Sequence, residues 1–247
     1  MSRIFILICL IGLAGCQKHM QETSGAEYIA DRQDVPGYDI DKEIAVAAAV
    51  EPNLRFPARI GVARIVSGLL TVPAGKEAEL LVEILGQDAR FGEFVPITPL
   101  MVAAVNGTGL NHYGEYSSGS HRQLVHDIRL TAARQHLDYV LIYDIGTRSL
   151  ETNTPLALAD LTLVGGALLP TRNIRIAGVG QALFLDVRNG YPYATTAATR
   201  DISGLARTYW TYQRVKVLSD RAKWKVAEVL MPEIGVMLQG LIEGARR

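Results

Sequence analysis

The sequence predicts an α+β fold, α/β-like in its alternation of helix and strand, in which helices cover one small mixed sheet with a β-hairpin. A capped helix that begins at Ser120 leads into the short apolar run 139–143, which is typical of a buried central strand. Residues 174–199 form two strand-like stretches around Asn189-Gly190, the pair preferred in type I′ hairpin turns. A helical pattern over 205–243 follows the hairpin.

The first residues have the form of a bacterial export signal. Arg3 precedes an apolar run of about ten residues, too short for the roughly twenty that a membrane-spanning helix needs. The run closes on Leu-Ala-Gly-Cys at 13–16, which resembles the lipobox of bacterial lipoproteins. This resemblance implies a signal peptide over 1–15, cleavage before Cys16, and acylation of Cys16 by fatty acids such as palmitate.

Residues 16–57 are predicted to be the lipidated N-terminus and a tether, and residues 58–247 to be one periplasmic α/β domain. The tether is polar, is broken by Gly and Pro, and carries interleaved acidic residues. Within it, residues 41–50 have the composition of a short helix but too little periodicity to decide. The length of 58–247 lies within the usual range for a single domain.

The first half of the domain reads as strand, helix, strand and loop. Residues 59–66 alternate apolar and other side chains and predict a strand. Residues 94–100 predict a second strand, and their two prolines indicate either a sheet edge or a short pairing. Residues 106–119, rich in Gly, Ser, Asn and Tyr, predict a long loop. Between the two strands a helix is predicted with one apolar face formed by Ala78, Leu81, Val82 and Leu85.

The middle of the chain predicts two helices. Ser120 and Gln123 have the spacing of a capping box, in which each side chain satisfies a free backbone N–H group at a helix start. The helix that follows has an apolar face ending near Leu137. Residues 155–170 also have helical spacing, which Gly165-Gly166 weakens by about 1 kcal/mol per glycine. This second segment fits core cover, an interface, or a membrane-contacting helix.

The end of the chain predicts the hairpin and a long terminal helix. Pro192 lies directly after the turn. The returning strand is therefore expected either to lie at a sheet edge or to have Pro192 as its first residue. Asp201 or Ser203 is expected to cap the helix over 205–243, and Pro232 to kink or restart it.

Composition excludes several classes of function. The chain has 25 basic and 25 acidic residues, so it has no net positive field for nucleic acid or anionic lipid. Membrane attachment is therefore expected through acyl chains alone. The two cysteines are Cys9, which leaves with the signal, and Cys16, which takes the lipid. The mature domain is thus expected to have no disulfide, no catalytic thiolate and no Cys-bound metal.

The remaining candidates for chemistry favour structural roles. The domain's histidines are not spaced as helical metal ligands, and we expect neither a metal nor another cofactor. His126-Asp127 with a nearby Ser could be written as a catalytic triad, but such triples arise by chance. Gly178-Val-Gly180 is half of a dinucleotide fingerprint and indicates close backbone packing instead. The histidines considered are His112, His121, His126 and His136.

An aromatic and basic cluster near residue 210 is the candidate for partner binding. Tyr, Trp and Arg are the residue types enriched at binding hot spots, although they also flank ordinary helices. Polar residues interrupt any continuous apolar stripe here, which favours a surface over a core position. The cluster comprises Arg207, Tyr209, Trp210, Tyr212 and Arg214.

With these elements in order, the chain resembles bacterial envelope lipoproteins of the rhombotarget type. Their globular module is similar to the α/β domain of the curli secretion channel lipoprotein and to the TolB N-terminal domain. The resemblance rests on residues 13–16, 59–66 and 139–144, and above all on 163–170 followed by 182–191. It implies no catalytic residue, and the likeness to a secretion channel is compatible with an oligomer.

We therefore expect a non-enzymatic lipoprotein on the periplasmic face of the outer membrane, whose domain binds other envelope proteins. The competing hypothesis is an envelope hydrolase or small-ligand-binding enzyme that uses the loop at 106–121. A pocket beside that loop with a His and a carboxylate converging would favour the enzyme.

Overall fold

The computed structural model describes residues 17–20, 39–73, 75–86, 88–154 and 171–245. These residues form one mixed sheet of seven strands with helices on both faces, which confirms the predicted α+β fold. The sheet is larger than expected, because three of its strands are 15 residues long. The signal peptide, Cys16 and the predicted helix at 155–170 lie outside the described residues.

The sheet has the order β1-β7-β6-β5-β2-β3, and β4 also pairs with β2. β2 is parallel to β4 and β5, and the other neighbouring pairs are antiparallel. The strands are β1 (Gln17–Met20), β2 (Ala58–Val66), β3 (Leu69–Thr71), β4 (Gly92–Pro96), β5 (Tyr139–Asn153), β6 (Arg172–Asp186) and β7 (Pro192–Ala206). The helices are α1 (Asp39–Ala48), α2 (Gly75–Gly86), α3 (Pro99–Asn106), α4 (His121–Arg134) and α5 (Thr211–Gly244).

Two apolar cores lie on opposite faces of the sheet. α2 and α5 cover one face and α3 and α4 the other. The alternation of β5 assigns its buried residues to these cores, since Tyr139 and Leu141 face α5 whereas Val140 and Ile142 face α4. This confirms 139–143 as a buried central strand, although the strand continues to Asn153.

Two glycines of β6 allow α5 to lie directly on the sheet. A Cβ atom on Gly178 would be 2.6 Å from Val226 Cγ2, and one on Gly180 would be 2.5 Å from Val226 Cγ1. These distances are far shorter than an ordinary carbon–carbon contact of about 3.5–4.0 Å. The interpretation of Gly178-Val-Gly180 as a close-packing element is therefore confirmed.

The type I′ turn occurs at a different place from the one predicted. The hairpin of β6 and β7 is confirmed, with Pro192 as the first residue of β7, but only Gly190 of its predicted turn pair has a positive φ, 77°. Its connection is longer because the Asp186 carboxylate accepts the N–H groups of Arg188 (2.7 Å) and Asn189 (3.2 Å). Two consecutive positive φ angles, 52° and 79°, instead join β2 to β3 at Ser67-Gly68.

Two predictions about the first half of the domain need correction. The strand predicted over 94–100 ends at Pro96, and Pro99 is the first residue of α3, where proline fits because its missing N–H has no helical partner. Thr98 caps that helix by accepting the N–H of Met101 at 3.4 Å. In α2, Val82 is 73 % exposed, and the buried positions are Glu77, Leu81 and Leu85.

The predicted caps of the terminal helix were also wrong. Asp201 and Ser203 belong to β7, because pairing with β6 continues to Ala206. α5 starts later, at Thr211, after a 3₁₀ turn over Thr208–Trp210, and it runs without a break through Pro232. At α4 half of the capping box forms: Ser120 accepts the N–H of Gln123 at 3.1 Å, while the Gln123 side chain donates to Asp127.

Two parts of the predicted tether contact the domain, namely β1 and the segment 53–55. β1 pairs with β7, and α1 confirms the short helix considered for 41–50. The Tyr139 hydroxyl donates to the Asn53 carbonyl (3.0 Å) and accepts the N–H of Arg55 (2.7 Å). The Tyr193 hydroxyl accepts the N–H of Asn53 at 2.9 Å. The chain is therefore fixed to the sheet before β2 begins.

Candidate functional site

The predicted partner cluster lies where β7 ends and α5 begins. The chain turns tightly here, because the carbonyl of Arg207 accepts hydrogen bonds from the N–H of Trp210 (3.0 Å) and the hydroxyl of Thr211 (3.1 Å). This tight turn projects aromatic side chains away from the sheet. We call Arg207, Tyr209, Trp210, Tyr212 and Arg214 the aromatic–basic surface.

The aromatic side chains of this surface are exposed. The exposed fractions are 57 % for Tyr209, 47 % for Trp210 and 82 % for Tyr212. The Arg207 guanidinium lies 5.9 Å from the centre of the Trp210 ring, and the Tyr209 and Trp210 rings meet edge to face at 6.5 Å. Such exposed cation–π contacts are worth about 0.5–1 kcal/mol, so they orient the rings without burying them.

Arg214 joins the surface to β7. A Cβ atom on Gly204 would lie 3.4 Å from Nη2 and 3.5 Å from Nε of Arg214, and 3.0 Å from a methyl group of Leu218. The absent side chain at Gly204 therefore lets the first turns of α5 lie against the strand.

The loop at 106–121 is attached to the rest of the domain near its middle, at Tyr116. The backbone of Tyr116 pairs with Leu70, and its buried hydroxyl donates to the Asp127 carboxylate at 2.8 Å. Gln123 donates to the other oxygen of that carboxylate at 2.8 Å. With both oxygens engaged, Asp127 serves as a structural anchor for the loop.

A different His and carboxylate interact electrostatically beside this loop. Burial raises the pKa of Asp144 above its usual range, and the charge of His121, the first residue of α4, offsets part of this. One Asp144 oxygen, Oδ1, is buried and has no hydrogen-bond partner among the described residues. His112 instead packs edge to face on Tyr113 in the exposed loop, and His136 follows α4 with φ 56°.

Sequence reasoning missed a buried ion pair at the end of β2. Arg64 Nε donates to Glu77 Oε1 at 2.6 Å and Nη2 to Oε2 at 2.9 Å, with side chains 12 % and 6 % exposed. Arg64 also donates to Thr71 at 2.8 Å. Burial raises the pKa of the neighbouring Tyr143 hydroxyl far above its usual range, and the Glu77 carboxylate adds to this. A charged residue at an inward position of β2 was the available signal.

The described ranges contain no group of three or more His, Cys, Asp or Glu side chains that could hold a metal ion. None of the helices described above is long and apolar enough to cross a membrane.

The comparisons with known proteins give distant matches only. No family model and no curated protein matches the chain. Among solved structures, a PelC variant dodecamer from Paraburkholderia phytofirmans is 16 % identical with a TM-score of 0.29, over 71 % of this chain and 87 % of that one. The hypothetical protein CT253 from Chlamydia trachomatis is 10 % identical with a TM-score of 0.29, over 75 % and 98 % of the two chains.

A third match is the lipoprotein GNA1162 from Neisseria meningitidis. It is 10 % identical with a TM-score of 0.29, over 66 % of this chain and 95 % of that one. Similarity at this level carries no argument about assembly, location or activity. The resemblance to rhombotarget, curli and TolB modules therefore stays a prediction.

Proposed function

We propose that this protein is an envelope lipoprotein, anchored through Cys16 to the periplasmic face of the outer membrane, whose domain binds other envelope proteins without catalysing a reaction. The observation that carries the proposal is the exposure of Tyr209, Trp210 and Tyr212 beside two arginines. Aromatic residues and arginine supply most of the energy at protein interfaces, and they do so by burial against the partner. An exposed cluster of this kind is therefore available for binding.

The lipid anchor supports this function by confining the domain to a surface. Confinement raises the effective concentration of the domain for any partner on the same membrane. Gln17, which follows the lipidated cysteine, is paired with Ala197 of β7, so the anchor would lie close to the sheet rather than at the end of a long free tether. Gln rather than Asp after Cys16 fits sorting to the outer membrane.

Lipid labelling tests the anchor. Cys16→Ser should abolish labelling by radioactive palmitate, because no other thiol remains in the mature chain to accept a diacylglycerol. The wild-type protein should co-sediment with outer membranes in a density gradient. Labelling that persists in the Cys16→Ser protein, or wild-type protein found in the inner membrane, would contradict this part of the proposal.

Site-specific photo-cross-linking tests the surface. A photoreactive amino acid at Tyr212 should give cross-linked bands in cells, whereas the same amino acid at Tyr113, also 82 % exposed, should not. A band at twice the monomer mass identifies another copy of this chain as the partner, and other masses identify a different protein. Equal bands from both positions, or none from Tyr212, would count against the aromatic–basic surface.

A second candidate function is hydrolysis or small-ligand binding beside the loop at 106–121. The electrostatic interaction of His121 with the half-buried Asp144 favours it, because a carboxylate beside an imidazole is a common arrangement for general-base chemistry. Purified protein should then turn over chromogenic ester or amide substrates, and His121→Gln should abolish this turnover. Wild-type protein that hydrolyses none of these substrates would remove the support for a hydrolase.

A further inference from the structure

The charges of this chain balance in number but are unevenly distributed. Residues 200–228, which comprise the second half of β7 and the first half of α5, hold seven basic and three acidic residues. Asp201 pairs with Arg175 of β6, and Glu228 pairs with Lys225 at 2.6 Å. The third acidic residue, Asp220, lies 3.7 Å from Lys223. This part of the surface therefore keeps an excess of positive charge that the neutral composition conceals.

Within it, a cavity of about 380 Å³ opens between β7 and α5. Arg221, exposed on α5, has no ion pair with any residue that the structure describes. Among the described residues, the Arg200 guanidinium donates only to the neighbouring backbone carbonyl of Thr199, at 3.0 Å. We call this cavity the basic groove, and it is lined by Arg200, Asp201, Ile202, Ser203, Arg221 and Lys225.

The groove suits an anion with several oxygen atoms. The acidic residue at its rim, Asp201, is engaged by Arg175, so it does not neutralise the groove. Lys225 is paired with Glu228, so the two guanidinium groups of Arg200 and Arg221 remain, and guanidinium groups bind phosphate oxygens in pairs. The chemistry therefore favours a phosphate group.

The position of β1 indicates where the phosphate comes from. Gln17 lies opposite Ala197 of β7, and Arg200 is three residues further along the same strand, about 10 Å at the rise of a β-strand. Cys16 immediately precedes Gln17 in the chain. If Cys16 carries the acyl chains, the bilayer surface lies within reach of the groove. An acidic protein would also complement the positive charge of the groove. The position of the groove, close to the residue that carries the acyl chains, favours a membrane instead.

We propose that the basic groove binds the phosphate groups of anionic phospholipids and gives the domain a second contact with the membrane that holds its lipid. This inference rests on the proposed lipid anchor. It goes beyond that anchor, because two membrane contacts fix the orientation of the domain whereas acyl chains alone do not. A basic residue near an anionic surface increases binding by about fivefold, so Arg200 and Arg221 together contribute roughly 25-fold.

The test is competition between two kinds of vesicle. Purified lipidated protein is offered vesicles of phosphatidylcholine and vesicles of phosphatidylcholine mixed with phosphatidylglycerol, and the two are then separated and the protein quantified. Wild-type protein should prefer the anionic vesicles at low salt, and Arg200→Gln/Arg221→Gln should reduce this preference by roughly 25-fold. The matched control, Arg122→Gln/Arg134→Gln, removes the same charge from exposed positions on α4 and should retain the preference.

The outcomes separate this inference from the anchor on which it rests. Protein that stays on neither vesicle lacks the acyl anchor, so both the proposed function and this inference fail. Protein that stays equally on both vesicles is anchored but has no anionic contact, which overturns the inference alone. A groove variant that keeps its preference, or a control that loses it equally, also overturns the inference. So does a groove variant that loses cross-links to an acidic protein while its vesicle preference is unchanged.

Discussion

Substitution of Gly178 by alanine tests how α5 is seated on the sheet. The new Cβ atom would lie 2.6 Å from Val226 Cγ2 and 3.0 Å from the backbone oxygen of Ala222. The Val226 methyl can rotate or shift, but the helical carbonyl cannot move without the helix. We therefore expect α5 to be pushed outward where it runs beside β7.

The magnitude follows from two opposing effects. Overpacking of a well-packed core costs about 1–3 kcal/mol. Replacing glycine by alanine also restricts the unfolded chain, which returns about 0.4–1 kcal/mol. The expected net loss is about 1–2 kcal/mol in the free energy of unfolding. For a chain of this size that lowers the melting temperature by roughly 2–8 °C.

A thermal melt of the full chain measures this loss, and Gly180→Ala supplies the comparison. The Cβ atom at Gly180 meets side chains, Val226 Cγ1 at 2.5 Å and Leu230 Cδ2 at 3.0 Å, and no backbone atom. In a Val226→Ala background, Gly180→Ala should therefore become nearly neutral, whereas Gly178→Ala should remain destabilising. Equal rescue of both variants, or a Gly178→Ala protein that melts like wild type, would refute the reasoning.

Three further predictions concern other parts of the domain. Glu77→Ala should cost about 3–5 kcal/mol of stability, because it leaves the Arg64 guanidinium buried without its partner. The paired replacement Arg64→Met/Glu77→Leu should cost clearly less, as judged by urea denaturation. Asp144→Asn should stabilise the protein at neutral pH, with a difference that shrinks as the pH falls towards about 4, the usual pKa of a carboxyl group. Burial raises the pKa of Asp144 in the folded state, so the folded protein binds more protons and loses stability as the pH rises through that pKa. Gly190→Val should cost about 1–3 kcal/mol in a thermal melt, because φ of 77° is unfavourable for a β-branched residue.

Each of these predictions has a result that would contradict it. A double Arg64/Glu77 variant as unstable as Glu77→Ala would show that the unpaired charge is not the cause. An Asp144→Asn difference that stays constant between neutral pH and pH of about 4 would exclude the ionised carboxylate as its source. A Gly190→Val protein with an unchanged melting temperature would show that the loop does not require the left-handed conformation.

Periodicity in the sequence predicted most of the fold. The predictions that were wrong concern segments where other hydrogen bonds compete with the predicted turn or helix cap. The alternation in 59–66 and the apolar run at 139–143 located two strands, since burial on a sheet imposes those patterns directly. Asn189-Gly190 has the composition of a type I′ turn, yet the Asp186 carboxylate binds the loop N–H groups and permits a longer connection. Asp201 and Ser203 are residue types that can cap a helix, but both are paired with β6 and therefore lie inside β7 and not at a helix start.

The candidate site was predictable in composition and not in geometry. The aromatic and basic residues near 210 are adjacent in sequence, so their cluster was visible without a structure. The pairing of Gln17 with Ala197 and the approach of Arg221 to Arg200 join residues far apart in the chain. No local pattern encodes such contacts, and the neutral total charge argued against a basic surface. For the Arg64–Glu77 pair, the charged residue at an inward position of β2 was a signal for one member, but nothing local to β2 pointed to its partner 13 residues later.

The most direct test of the central claim is Trp210→Ala, with protein abundance and cross-linking measured in one strain. Trp210 is 47 % exposed, so its truncation should cost far less than the 3–5 kcal/mol expected for a core tryptophan, and the protein should accumulate normally. The account predicts that this abundant, folded protein loses its cross-links to envelope partners, while Tyr113→Ala retains them. A Trp210→Ala protein that is abundant, folded and still cross-linked to every wild-type partner would contradict the claim that the aromatic–basic surface binds them.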